Sequence, residues 1–224
     1  MKKIYISPSD QTGNLYAVGN TNEAVQCRKI AELVVAALKR CGFEALTNTK
    51  QEMSDRVIES NNWDADLHVC IHTNAFNSEV KGTRLFASDL KSTGYKVCKE
   101  IMATLAPITP GNSDGISARP GLYEVKYTTA YCAYIEVAFH DNKEEAQWII
   151  DNKENIAEAI CKGLCNYYGV AYVEKPQEPV QEPAKEILYR VQIGAYSIKA
   201  NAENQLKKAQ AAGFTDAFIV EVKK

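Results

Sequence analysis

The stretch ADLHVCIH, residues 65–72, decides the fold class, because it is a predicted strand that lies between a helix and another strand. The preceding EMSDRVIESNNW, residues 52–63, is predicted to be helical, and GTRLFAS, residues 82–88, is the next predicted strand. Strands that alternate with helices of this length indicate parallel βαβ units. The chain is therefore predicted to be an α/β protein, with a mostly parallel twisted sheet flanked by helices.

The same alternation continues on both sides of this stretch. In residues 22–41, apolar residues recur at three- and four-residue steps and Gly42 follows, which predicts an amphipathic helix. The segment 107–120 is rich in Gly, Pro and Asn and is predicted to be a loop. A single α/β domain is thus expected over residues 1–172. Its other predicted elements are strands at 4–6, 43–46, 121–128 and 130–139 and helices at 92–106 and 143–168.

Two further segments follow this domain. Residues 173–186 include EKPQEPVQEPAKE, whose prolines and charges cannot bury a core and predict an extended linker. Residues 187–224 are predicted to form a small C-terminal βαβ unit, with strands at 187–197 and 215–223 around a helix.

Composition argues against several classes of partner. The 224 residues carry 26 basic and 28 acidic side chains, and this net charge of -2 gives no reason to expect nucleic acid or an anionic membrane as partner. No apolar stretch is long enough for a transmembrane helix, so membrane insertion is not expected. The N-terminus lacks the apolar region of a secretory signal, which predicts synthesis in the cytoplasm. The 7 cysteines include no CxxC pair and are expected to be reduced thiols.

Polar residues gather at the predicted carboxyl ends of strands, where open α/β sheets place their sites. Asp10 follows the first strand, Glu23 opens the first helix, His72 ends ADLHVCIH, and Glu136 lies near the end of the late strand, in AYIEVAF. Histidine and carboxylates from separate segments are ligands that Zn²⁺ uses in hydrolases, where an open position remains for water. A further carboxylate can then act as a general base.

Structural explanations exist for two of these residues. Glu23 could complement the dipole of its helix, and His72 could belong to a strand-end turn. Glu136 is harder to explain structurally, because an unpaired carboxylate inside an apolar strand costs several kcal/mol or becomes protonated.

Three other polar residues of this region are weaker candidates for the site. His68 lies about 13 Å from His72 along the strand, so it is expected in the core or behind the site rather than on the same ion. His140 is expected at the rim of the site, with a metal-ligand role as the alternative. Cys70 shares a strand face with His72, but neither a helix N-terminus nor a positive partner is visible to activate a thiol hydrolase.

Two motifs carry a resemblance to a known family. Ile71-His72-Thr73-Asn74 and the segment EVAFHDN, residues 136–142, match the "IHxN" and "ExxFxxN" strand ends of the zinc-dependent N-acetylmuramoyl-L-alanine amidases of family 3, and Glu23 matches their helix-opening glutamate. The chain resembles these cell-wall amidases, which include autolysins and phage endolysins, over residues 1 to about 170.

The resemblance implies roles for individual residues. Glu23 and His72 would be zinc ligands, and Glu136 would be the catalytic carboxylate. Asn74 would support the site or bind substrate, and Arg119 would contact the peptide stem of peptidoglycan. The implied function is hydrolysis of the amide bond between N-acetylmuramic acid and L-alanine, by an enzyme that reaches the cell wall after release or lysis.

The chain departs from the family at its first metal ligand. Where the family has a "PGH" turn, this sequence has Pro8-Ser9-Asp10, so an aspartate replaces the histidine. Asp10 is expected to fill the place of the missing ligand because a carboxylate oxygen can bind zinc. Gln11 and His140 are the alternatives. A catalytically silent peptidoglycan-binding protein that has lost zinc is the alternative function.

The tail resembles half of a SPOR module, a peptidoglycan-binding domain, at YRVQIGAYSIKANAENQLKKAQAAGF, residues 189–214. A unit of this size buries too little core by itself. We therefore expect two chains to pair their halves in a homodimer, with packing on the amidase domain or partial order as the alternatives.

Overall fold

The structure is a computed structural model, and it describes residues 1–49, 52–176, 189 and 191–222. The chain divides into two compact units, Met1–Pro176 and Gln177–Lys224. The first unit covers the predicted catalytic domain. Most of the predicted linker lies outside the described residues.

The first unit is built on a six-stranded sheet with the order β2-β1-β3-β6-β4-β5. Neighbouring strands are parallel except for β4, which is antiparallel to β6. The predicted mostly parallel sheet flanked by helices is therefore confirmed. The strands are β1 (Lys3–Pro8), β2 (Glu44–Leu46), β3 (Leu67–Asn74), β4 (Arg84–Ala87), β5 (Gly115–Ala118) and β6 (Tyr131–Phe139).

Helices cover both faces of this sheet. The helices are α1 (Glu23–Arg40), α2 (Met53–Asn62), α3 (Thr93–Leu105), α4 (Tyr123–Tyr127), α5 (Lys143–Asp151) and α6 (Lys153–Tyr168), with a short 3-10 helix at Ala106–Ile108.

Alternation along β3 separates two cores. Val69 and Ile71 are fully buried in the larger apolar core, together with residues of α1, α3 and α6. Cys70 points to the opposite face, where it packs with Val125 of α4 and Tyr134 of β6. Because side chains alternate along a strand, His68 and His72 lie on the same face as Cys70.

Three local predictions are wrong. The segment 121–128 was predicted to be a strand, but it contains α4, which buries Glu124 and Val125. The predicted loop 107–120 contains β5, which pairs with β4 at the edge of the sheet. The predicted helix 143–168 is two helices, because Asn152 leaves helical geometry at φ -114° and ψ 22°.

The second unit contains one helix among its described residues, α7 (Lys199–Ala211). The predicted strands do not form at 191–197 or 215–222, and residues 187, 188, 190 and 223 lie outside the described residues. A strand needs a partner for its backbone groups, and side chains such as Val191 (85% exposed) and Phe218 (72% exposed) remain on the surface. None of the helices in the described residues has the length and apolar character to span a bilayer.

Candidate active site

The site lies where the carboxyl ends of β1, β3 and β6 meet. These three strands are parallel and adjacent in the order β1-β3-β6. His72 of β3 and Glu136 of β6 are register partners. Side chains that the sequence places far apart are thereby collected at one edge of the sheet, as expected for an open α/β fold.

His72 and Glu23 are in direct contact. Nδ1 of His72 lies 2.9 Å from Oε1 of Glu23, and both side chains are almost completely buried. The imidazole ring also stacks on Tyr134, with ring centroids 4.5 Å apart. Burial lowers the pKa of His72, but the neighbouring carboxylates of Glu124 and Glu23 outweigh it and raise that pKa to about 10.

Glu23 reaches the site from the first turn of α1. Asn22 is the N-cap and accepts a hydrogen bond from the N–H of Val25, which leaves the Glu23 side chain available for the site. Nδ2 of Asn14 donates to Oε2 of Glu23 at 2.6 Å. Burial raises the pKa of Glu23, but the hydrogen bonds of His72 and Asn14 prevail and hold it below its ordinary value.

Glu136 is a buried carboxylate with a raised pKa. Its Oε2 is buried and has no hydrogen-bond partner within the described part of the chain. Burial raises the pKa of Glu136, His72 opposes that rise, and the nearby Glu23 adds to it, so that the pKa is about 7. A carboxylate with a pKa in this range can both take and return a proton near neutral pH.

Asp10 is directed to another partner. Its Oδ2 accepts a hydrogen bond from the N–H of Met53 at 2.6 Å, at the start of α2, and lies 3.7 Å from the guanidinium of Arg56. Among the described residues, two sets of three potential metal ligands have their donor atoms within 4.8 Å of one another. One set is Cys41, Cys161 and Cys165, and the other is His68, Cys70 and Glu124. The structure therefore does not bring Asp10 together with Glu23 and His72, and its ligand role stays a prediction.

The two alternatives for this place also have other contacts. Gln11 is exposed, and its Oε1 accepts a hydrogen bond from Nδ2 of Asn14 at 2.8 Å. His140 is buried, stacks on Tyr16 with centroids 5.3 Å apart, and lies with Nδ1 2.9 Å from the carbonyl oxygen of Thr73. His140 is thus tied to the end of β3, whereas Gln11 is linked to Glu23 through Asn14.

The two predicted substrate contacts lie nearer the surface. Asn74 is half-buried and, with Phe76, Arg84 and others, lines a cavity of roughly 260 Å³. Arg119 is exposed, and its guanidinium lies 5.4 Å from the ring centroid of Phe86. Their substrate-binding roles remain predictions.

Glu124 is the site residue that sequence reasoning missed. Its Oε1 lies 3.1 Å from Nε2 of His68 and its Oε2 lies 3.5 Å from Nε2 of His72. Burial raises the pKa of Glu124, but the two histidines lower it well below its ordinary value. His68 itself is buried and stacks on Tyr5, in agreement with its predicted place behind the site. The sequence did hold one sign of such a residue: His68 lies in an apolar strand, and a buried polar side chain needs a buried polar partner.

The donors at this site are of the types that bind zinc. Glu23 supplies a carboxylate and His72 an imidazole, and they are already in contact. Three buried atoms of the site lack a hydrogen-bond partner in the described chain: Nε2 of His72, Oε2 of Glu124 and Oε2 of Glu136. Nε2 of His72 and Oε2 of Glu124 face each other at 3.5 Å, just beyond hydrogen-bond distance. Buried polar atoms are ordinarily satisfied, so the unpaired Oε2 of Glu136 is consistent with a site that receives water. A third protein ligand is not brought to Glu23 and His72 among the described residues.

The chain matches a known protein family. The profile of the N-acetylmuramoyl-L-alanine amidase family matches residues 6–166, which include all the strands of the sheet after the start of β1. The chain belongs to this amidase family. A SPOR domain matches residues 182–224, in agreement with the predicted character of the tail.

Known amidases resemble the chain in sequence and fold. A sporulation-specific N-acetylmuramoyl-L-alanine amidase of Bacillus subtilis is 21% identical over 231 residues, covering 99% of this chain and 86% of that protein. The catalytic domain of CwlV from Bacillus (Paenibacillus) polymyxa var. colistinus aligns with a TM-score of 0.68 at 21% identity, over 76% of this chain and 100% of that chain. The CwlD amidase from Clostridioides difficile, solved in complex with the GerS lipoprotein, aligns with a TM-score of 0.63 at 21% identity. This alignment covers 75% of the present chain and 99% of that chain.

The amidase is thus a hydrolase that cleaves the amide bond between N-acetylmuramic acid and L-alanine in peptidoglycan. Its SPOR domain supports binding to the same polymer. The alternative of a catalytically silent wall-binding protein is not favoured.

Proposed function

We propose that this amidase depends on zinc, that Glu23 and His72 are metal ligands, and that Glu136 is the general base. The observation that carries the proposal is the contact between Nδ1 of His72 and Oε1 of Glu23, with Glu136 in register on the adjacent strand. An imidazole and a carboxylate from separate segments are typical ligands of a catalytic zinc ion.

When bound, zinc would supply Lewis-acid chemistry, lowering the pKa of water and polarising the scissile carbonyl group. Glu23 and His72 would hold it, and Asp10 remains the prediction for a third ligand. Burial of both contacting side chains excludes bulk water and strengthens electrostatic interactions at this point.

Glu136 would take a proton from the attacking water as its oxygen bonds to the lactyl carbonyl carbon. Glu136 would then return this proton to the nitrogen of L-alanine as the C–N bond breaks, which yields a carboxylic acid and an amine; the acid's proton then passes to the amine, giving a carboxylate and an ammonium group. The raised pKa of about 7 and the unpaired Oε2 support this role.

Substrate contacts would come from the surface around the site. The exposed guanidinium of Arg119 suits a carboxylate of the stem peptide, and Asn74 at the end of β3 offers an amide for hydrogen bonding. The SPOR domain would keep the catalytic unit close to the wall through the intervening segment. A homodimer through paired SPOR halves stays a prediction that the comparisons do not support.

Metal analysis combined with amide hydrolysis tests the proposal. We expect purified amidase to contain close to one zinc ion per chain and to release stem peptides with a free L-alanine amine from peptidoglycan. Chelation should remove zinc and activity together, and added zinc should restore both. Hydrolysis that continues in fully metal-free protein would overturn the zinc dependence while leaving the amidase activity intact.

A further inference from the structure

Glu124 is a buried carboxylate that the proposed reaction does not use. It lies on α4, between two histidines of β3, with Oε1 3.1 Å from Nε2 of His68 and Oε2 3.5 Å from Nε2 of His72. Its side chain has no exposed area. A carboxylate buried this completely needs compensating partners, so its place beside His72 calls for an explanation.

Glu124 is held firmly on the side away from His72. The hydroxyl of Ser7 donates to its Oε1, and that hydroxyl in turn accepts a hydrogen bond from Nε of Arg56 at 3.0 Å. Nδ1 of His68 lies 2.9 Å from the hydroxyl of Ser60, so the ring that contacts Oε1 is fixed as well. Oε2 is the oxygen that remains for His72.

The two nitrogens of His72 face different carboxylates. Nδ1 lies 2.9 Å from Glu23, whereas Nε2 lies 3.5 Å from Glu124. An ionised carboxylate only accepts hydrogen bonds, so it favours a proton on the nitrogen that faces it. When one ring nitrogen binds a metal, the other carries the remaining proton, and a carboxylate partner fixes that tautomer.

We propose that Glu124 is a positioning residue that keeps the proton on Nε2 of His72, so that Nδ1 is the atom presented to the metal beside Glu23. This inference rests on the proposed zinc site. Glu124 is not a ligand in this arrangement, because it faces the opposite edge of the imidazole ring from Glu23. Its effect passes through the orientation and basicity of His72.

Zinc affinity and the tautomer of His72 test this inference. In Glu124→Gln we expect zinc affinity, measured by chelator competition, to fall about 10- to 100-fold, because the neutral amide is a weaker acceptor. Glu124→Asp keeps the charge and should recover part of the loss. Glu145→Gln is the matched control: Glu145 is buried outside the site and accepts hydrogen bonds from the N–H groups of Gly82 and Phe139, so its replacement should leave zinc affinity unchanged.

Ring nitrogen NMR of the zinc-loaded protein gives a second readout, which is tractable because the chain has 3 histidines. We expect wild-type His72 to show metal-bound Nδ1 and protonated Nε2. X-ray absorption should show the same ligand set in wild type and Glu124→Gln. If Glu124→Gln does not fold, Ser7→Ala, which removes one of the two contacts of Oε1 but keeps the carboxylate and the contact with His68, should give a smaller fall in affinity.

Several results would overturn the inference. If Glu124→Gln folds and its zinc affinity is unchanged, Glu124 is purely structural. If Glu124→Gln does not fold, unchanged zinc affinity in Ser7→Ala leads to the same conclusion. Loss of an oxygen ligand in the absorption spectrum would make it a metal ligand. A wild-type chain that binds no zinc would remove the proposed metal site itself, which separates that failure from a failure of the role of Glu124.

Discussion

The carboxyl ends of β3 and β1 are neighbours in the sheet, but their polar residues have different partners. At the end of β3, His72 is buried, contacts Glu23 at 2.9 Å and stacks on Tyr134. At the end of β1, Asp10 turns towards α2 and accepts a hydrogen bond from the N–H of Met53. One end thus contributes to the proposed active site, while the other contacts a neighbouring helix.

This difference shows that position at the sheet edge does not by itself assign a role. A carboxylate after a strand can bind a metal, but it can equally satisfy the free N–H groups of a helix N-terminus and interact with its dipole. At β1 a second attraction exists, because the guanidinium of Arg56 lies 3.7 Å from Asp10 and is fully buried. The tertiary surroundings decide between the two uses.

The largest effect is expected on the side of β3 and β6. Glu136→Ala should lower the rate of amide hydrolysis about 10²- to 10⁴-fold, because the general base is removed. Zinc content and melting temperature should stay close to those of wild type, since the Glu23–His72 contact remains. Glu144→Ala, which removes a largely exposed carboxylate, is the control and should retain full activity. Undiminished hydrolysis by Glu136→Ala would exclude Glu136 as the base.

The β3 side of the site is easier to predict from the sequence than the β1 side. Glu23 and His72 lie in local motifs at a helix start and a strand end, and the structure brings them together. Glu124 was missed because residues 121–128 were predicted to be a strand. In a strand, Glu124 and Val125 would point to opposite faces, whereas the helix α4 buries both side chains. The destination of Asp10 depends on α2, which is distant in sequence, so no local pattern could predict it.

At the β1 end, Asp10→Ala separates metal binding from helix capping. The structure leads us to expect a loss of about 1–2 kcal/mol in the free energy of unfolding, because the N–H of Met53 loses its acceptor. For a domain of this size, that corresponds to a fall of roughly 2–8 °C in melting temperature. Thermal unfolding and chelator competition would measure stability and zinc affinity on the same samples.

Zinc affinity is the deciding measurement for Asp10. Unchanged affinity would assign Asp10 to α2 alone, whereas a loss comparable to that of Glu23→Ala would make it the third ligand, as the sequence predicts. Asp10→Asn is the matched variant, because its amide oxygen can still accept from Met53. It should recover most of the lost stability.

The smallest effect is expected for Gln11→Ala. Gln11 is exposed, and its Oε1 accepts a hydrogen bond from Asn14, whose Nδ2 also donates to Glu23 at 2.6 Å. Since the bond to Glu23 survives the substitution, stability should change by no more than about 0.5 kcal/mol and zinc affinity by no more than about twofold. Asn14→Ala removes the donor to Glu23 itself and should weaken zinc binding more. If Gln11→Ala instead lost zinc, the amide oxygen would be the missing ligand, and the end of β1 would belong to the metal site after all.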